Sequence, residues 1–144
     1  MPKHGQGSAP FATVLVVEDE FAIRISVATY LRDCGYRVFE AVSADEALIV
    51  LQDPDFTVDI VFSDLEMPGS IDGFGLKRWA AQSRPDVRVI LAGTPKRAAE
   101  KAGGLCVEGP LLSKPYEPQI VEDRIRRLLA LRATSANTSV PRSP

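Results

Sequence analysis

Apolar residues along the chain alternate between two periods. Thr13-Val14-Leu15-Val16-Val17 is an unbroken apolar run, the pattern of a strand covered on both faces. Phe21, Ile23, Val27, Tyr30, Leu31 and Cys34 then recur at helical spacing as far as Gly35, a helix stop. Residues 36 to 42 read as a second, shorter strand. Ser43-Ala44-Asp45-Glu46 reads as a cap followed by early acids, opening a helix through Ala47, Leu48 and Leu51 that Asp53-Pro54 closes. A third strand is predicted over residues 58 to 63. The turn-rich Met67-Pro68-Gly69-Ser70-Ile71-Asp72-Gly73 follows, and Phe74, Leu76, Trp79 and Ala80 mark a third helix ending near Arg84-Pro85. Residues 87 to 92 form a fourth strand. The alanine-rich stretch 95 to 102 is helix-prone and ends at Gly103-Gly104; residues 110 to 113 are a brief fifth strand. A final helix opens at Glu117 and carries Ile120, Val121, Ile125, Leu128 and Leu129. Residues 1 to 10 and the polar tail from 134 to 144 are expected to be disordered, leaving one domain over residues 11 to 133.

Apolar strands without alternation must be buried on both sides, so five strands alternating with five helices predict an α/β fold with an open parallel sheet. Right-handed crossovers make a doubly wound, flavodoxin-like sheet of order 2-1-3-4-5 the simplest topology. Such sheets bind ligands beyond the carboxyl ends of the strands, where the winding reverses between the first and the third.

Composition narrows the function classes. With 144 residues, 45% of them apolar and 25% charged, the chain suits one well-buried core. A formal charge of −2 offers no basic footprint, so direct nucleic-acid binding is not expected. No window reaches the roughly 18 apolar residues of a membrane span, and the N-terminal residues lack a signal-peptide core, which predicts a cytoplasmic protein without membrane insertion. Cys34 and Cys106 lack metal-type spacing and read as buried thiols.

The candidate chemistry sits at the strand ends. The first run leads into Glu18-Asp19, the third into Asp64 and the fifth into Lys114-Pro115. In the predicted topology these carboxylates and one ammonium meet at one sheet edge. Two like charges about 4 Å apart repel by roughly 4 kcal/mol at an effective dielectric near 20, so a divalent cation is the natural compensation. Asp45, Glu46, Asp53, Asp55 and Asp59 have no such placement and read as caps and solvated surface; Trp79 reads as core packing.

With these residues in place, the chain resembles a receiver domain of a two-component response regulator, of the stand-alone, single-domain kind. The resemblance covers about residues 13 to 131. It rests on Glu18-Asp19, on Asp64 within Ser63-Asp64-Leu65-Glu66-Met67-Pro68-Gly69, on Asp72-Gly73 opening the next helix, and on Lys114-Pro115, spaced by 45 and 50 residues. The resemblance implies phosphorelay signalling rather than enzyme activity. Asp64 would accept a phosphoryl group from a sensor histidine kinase or histidine phosphotransfer protein, a reaction a carboxylate performs without a base. Asp19, Asp64, Glu18 and the backbone carbonyl of Glu66 would hold Mg²⁺, whose hardness suits oxygen ligands. Lys114 would meet the phosphate, across a Lys114–Pro115 peptide that is cis in this family, and a downstream protein would read the result.

The chain departs from the family pattern at two positions. The Ser or Thr that usually ends the fourth strand falls on Ala92 or Gly93, and the nearest hydroxyl is Thr94, a substitute only if the loop shifts register. The aromatic usually found three residues before the lysine is Leu111. These departures favour an alternative, a phosphorylation-independent interaction module on the same fold. A second alternative, a Toprim-type metal-dependent nucleic-acid enzyme, would use an acid after the first strand and the pair Asp64 and Glu66 after the third, but gives Lys114-Pro115 no role and lacks a basic binding surface.

Overall fold

The computed structural model describes residues 12–94 and 111–139. Five parallel strands, β1 (Thr13–Val17), β2 (Arg37–Ala41), β3 (Ile60–Asp64), β4 (Arg88–Gly93) and β5 (Leu111–Ser113), lie in the order β2-β1-β3-β4-β5. Four helices are described: α1 (Phe21–Asp33), α2 (Ala44–Gln52), α3 (Gly73–Ser83) and α4 (Pro118–Ser139). The short helix expected at 95 to 102, Gly103-Gly104, Cys106, and both chain ends (residues 1–11 and 140–144) lie outside the described residues. α4 runs to Ser139, past the boundary at residue 133 expected from the polar composition.

The sheet is covered on both faces because successive strand residues point to opposite sides. Val14, Val16, Ile60, Phe62, Ile90, Ala92 and Leu112 face Val27, Ala28 and Leu31 of α1 and Val121 and Ile125 of α4. Leu15, Val17, Val61 and Val87 face Ala44, Ala47 and Leu51 of α2 and Leu76 of α3. Fully burying each Val, Leu, Ile or Phe side chain contributes roughly 1.5–3 kcal/mol, so the two layers bind the helices without help from local propensity. Trp79 packs, partly buried, against the second layer.

Local punctuation matches the sequence signals. Ser43 Oγ accepts from Glu46 N–H at 3.1 Å, and Glu46 Oε1 in turn accepts from Val42 N–H at 2.8 Å. Asp72 caps α3 by accepting from Gly75 N–H at 3.0 Å. Gly35 follows α1 with φ 106°, a conformation that favours glycine. Three expectations change. Phe21, assigned to the inward stripe of α1, is 65% exposed at its first turn, where Arg24 lies 5.4 Å from the ring centroid. Cys34 is half-buried rather than buried; burial nevertheless pushes its thiol pKa up. Asp59 is no free surface acid: it accepts from Thr13 N–H at 2.9 Å and pairs with Arg132 of α4 at 2.9 Å, fastening the helix to the amino edge of the sheet.

Candidate functional site

Strand alternation carries one row of residues to the carboxyl edge. Val16, Phe62, Ala92 and Leu112 share a face, and two residues further along β1, β3 and β5 the same face holds Glu18, Asp64 and Lys114. Backbone bonds extend the ladders just past the strands: Glu18 N–H donates to Ala41 O at 3.0 Å, Leu65 N–H to Ala92 O at 2.8 Å and Lys114 N–H to Gly93 O at 3.1 Å. The backbone therefore sets the spacing of the side chains. The Lys114–Pro115 peptide is cis.

Lys114 Nζ lies 3.0 Å from Asp64 Oδ1. Glu18, Asp19 and Asp64 each offer a carboxylate oxygen, all within 4.8 Å of one another. Asp64, Leu65, Glu66, Gly93, Thr94 and Lys114 line a cavity of about 290 Å³ opening above Asp64. The structure thus brings together Glu18, Asp19, Asp64 and Lys114, and places Glu66 and Thr94 on the wall of the same cavity.

The electrostatics follow from crowding and burial. Glu18 is 2% exposed, and its pKa is pushed up to about 7, first by burial and then, against the Glu20 N–H donated to Oε2 at 3.1 Å, by the charge of Asp64. Burial also raises the Asp64 pKa and outweighs the hydrogen bond and charge of Lys114. For Lys114 the balance reverses: burial disfavours its charge, but contact with Asp64 wins and lifts its pKa. Glu18 Oε1 is buried and has no hydrogen-bond partner among the described residues. Such an oxygen costs free energy unless it meets a proton or a cation. A hard divalent ion such as Mg²⁺ fits this all-oxygen donor set.

These shifts have a measurable consequence for the metal-free protein. An acid whose folded pKa lies above its unfolded value stabilises the fold at low pH, and stability falls as pH climbs from the unfolded pKa of 4.5 towards about 7. Asp64 acts in the same direction. The chain has a single histidine, His4, so little else titrates in that window. In EDTA the melting temperature is expected to rise as pH drops from 8 to 5.5, and Glu18→Gln to flatten that slope. A melting temperature that climbs with pH over this range would contradict the assignment.

Sequence reasoning missed two contributors. Arg24, only 12% exposed, donates from Nη1 to Glu18 O at 3.0 Å and from Nε to Glu40 Oε1 at 3.1 Å, tying the acidic turn after β1 to β2. Tyr116 packs edge-on against Phe62 at 5.5 Å, and burial of its hydroxyl, followed by the charges of Glu18 and Asp64, raises its pKa. The aromatic directly after Lys114-Pro115 was the available signal. Gly73, read in the sequence only as part of the Asp72-Gly73 opening of α3, has a further role: a Cβ there would fall 2.4 Å from Asp64 O, so α3 can start against the end of β3 only without one.

Comparison with known proteins agrees with the geometry. The response regulator receiver domain family matches residues 14–126. The chain belongs to this family. It is 34% identical over 119 residues to the sensor kinase CckA of Brucella abortus, a stretch covering 82% of this chain and 12% of that protein. It is 30% identical over 132 residues to the probable transcriptional regulator ycf27 of Porphyridium aerugineum, covering 90% of this chain and 53% of the relative. The chain thus spans about half or less of these relatives. Among solved structures, the receiver domain of the hybrid histidine kinase CckA shares 32% identity with a TM-score of 0.64, covering 81% of this receiver and 97% of that one. Membership in this family displaces the Toprim-type reading, and the Lys114–Asp64 contact supplies the role that reading lacked. None of the described helices is long and apolar enough to cross a membrane.

The end of β4 places the missing hydroxyl. Asp64 pairs with Ala92 across β3 and β4, on the same face, and Ala92 is fully buried. Ala92 is packed in the core, while Gly93 ends β4 and lines the cavity with Asp64 and Lys114, so Gly93 is the strand-end position that lacks the hydroxyl. Leu111 is partly buried against Leu65 and Leu91.

Proposed function

We propose that this receiver takes a phosphoryl group onto Asp64 and relays that state to a partner protein in the cytoplasm. The observation that supports it is the Lys114–Asp64 contact at 3.0 Å beside the Glu18, Asp19 and Asp64 cluster, in one row at the carboxyl edge. An Asp64 carboxylate oxygen attacks the phosphorus of a phosphohistidine on a sensor histidine kinase or histidine phosphotransfer protein. The P–N bond breaks, its electron pair stays on the imidazole nitrogen, and an acyl phosphate forms on Asp64. Lys114 shifts from the carboxylate to the transferred phosphoryl oxygens, to which its compact ammonium is suited. Asp19, Asp64, Glu18 and the backbone carbonyl of Glu66 would hold Mg²⁺, which when bound would supply the remaining neutralisation of charge on those oxygens. The test is intact mass after incubation with Mg²⁺ and a small phosphodonor.

A second reading, a phosphorylation-independent interaction module, draws on the end of β4: neither Ala92 nor Gly93 carries a hydroxyl to follow a phosphoryl group inward. Thr94, two residues beyond Ala92 and on the cavity wall, is the candidate substitute. Because its backbone lies past the strand, we expect Thr94→Ala to leave the phosphoryl lifetime on Asp64 within about twofold of the parent, well under the roughly tenfold change that about 1.4 kcal/mol would produce. A tenfold change in lifetime would assign Thr94 the hydroxyl's role.

A further inference from the structure

The turn between β3 and α3 is held at its base by the strand and helix themselves: Leu65 N–H donates to Ala92 O and Gly73 N–H donates to Leu65 O at 3.0 Å. Between these points the chain runs out through Glu66 and Met67 to a tip at Gly69-Ser70 and returns. The tip is fastened from a different element. Asp45, in the first turn of α2, accepts Ser70 N–H on Oδ2 at 2.9 Å and Ser70 Oγ–H on Oδ1 at 2.5 Å. Gly69 adopts φ +127°, and a Cβ there would fall 2.6 Å from Asp45 Oδ2, so the carboxylate occupies space that only glycine leaves open. A glycine, a serine using both of its donors and an acid using both of its oxygens converge on one contact.

Helix capping does not account for it. The N-terminus of α2 already has Ser43 and Glu46 as its reciprocal caps, and both Asp45 oxygens turn away to Ser70. The hydrogen bonds from Ser70 hold the Asp45 carboxyl below its ordinary pKa, so the tether is intact at neutral pH.

We propose that Asp45 is a positioning residue for the acid site: by gripping Ser70 it fixes the β3–α3 turn, and with it the Glu66 carbonyl offered to the metal. The inference rests on reading the Glu18, Asp19 and Asp64 cluster as a Mg²⁺ site. A free turn samples many backbone arrangements, and ordering it on metal binding costs affinity that a pre-set turn retains. Asp45 touches neither metal nor phosphate; it acts through Ser70.

The test combines calorimetric Mg²⁺ titration, thermal unfolding in EDTA and amide hydrogen exchange of the metal-free protein, on the parent, Asp45→Ala, Asp45→Asn and Ser70→Ala. Asp45→Ala is expected to weaken Mg²⁺ binding by about tenfold, the low end for groups that orient a metal ligand, and to speed exchange in residues 66 to 71 before any metal is added. Asp45→Asn, which keeps one acceptor oxygen, and Ser70→Ala, which keeps the N–H, should fall between it and the parent. Melting temperatures should stay within about two degrees, because the contact joins two exposed segments. Unchanged Mg²⁺ affinity in Asp45→Ala, with a parent that binds Mg²⁺, would overturn the inference, as would a loss of affinity tracking a fall in melting temperature. A parent that binds no Mg²⁺ would overturn the metal reading beneath it.

Discussion

Incubated with Mg²⁺ and acetyl phosphate, the protein is expected to gain one phosphoryl group, and Asp64→Asn none. The loss is complete because the reaction needs a carboxylate oxygen as nucleophile and the amide that replaces it, though of similar shape, is a poor one. Neither neighbouring acid of the cluster is expected to substitute: Glu18 is 2% exposed, and Asp19, though exposed, does not line the cavity above Asp64. Asp64→Asn removes one of the three crowded acids and one partner of Lys114, so the variant should fold, and a circular-dichroism melt separates loss of chemistry from loss of structure. Lys114→Ala should still be labelled, but more slowly, since it keeps the nucleophile and loses only the cation that meets the phosphoryl oxygens. An unmodified parent protein under several phosphodonors would instead favour the phosphorylation-independent module.

Strand order and the identity of the edge residues were readable in the sequence because both follow from local patterns. Short unbroken apolar runs bounded by turn signals read as doubly covered strands, and the period-two alternation that buries Val16, Phe62 and Leu112 also aims Glu18, Asp64 and Lys114 to one side. What was not readable depends on partners distant in sequence. Asp45 and Asp59 looked like caps or surface, yet one holds Ser70 from 25 residues away and the other pairs with Arg132 from 73 residues away. Spacing along one element cannot announce such contacts. The place of the missing hydroxyl was similarly hidden: the run Val89-Ile90-Leu91 left it at Ala92 or Gly93, and only the fold shows that β4 ends at Gly93, on the cavity wall, with Ala92 packed in the core. The exposure of Phe21 escaped for a different reason. Helical periodicity assigns a face to every turn, but the first turn of α1 stands at the carboxyl edge, where the sheet it would pack against has ended.

Asp19→Asn is expected to weaken Mg²⁺ binding by at least about tenfold and to make the metal-free protein more stable. Both follow from one fact, the crowding of Glu18, Asp19 and Asp64 within 4.8 Å. A site that gathers negative charge for a cation is strained without it, so deleting one charge relieves the apo fold and deprives the ion of a ligand. The gain should be modest, up to about 1 kcal/mol or a few degrees in melting temperature, because Asp19 is exposed and water screens it. Glu18→Gln should cost less affinity: Oε2 already takes the Glu20 N–H, leaving only Oε1 for the ion, whereas the family resemblance puts Asp19 nearer the metal. The order of the two variants is therefore informative. Titration of Mg²⁺ into parent, Asp19→Asn and Glu18→Gln, with melts in EDTA alongside, reads both effects. Equal affinity in the parent and Asp19→Asn would remove Asp19 from the metal site. A melting temperature lowered in Asp19→Asn would show that the acid serves the fold rather than the ion.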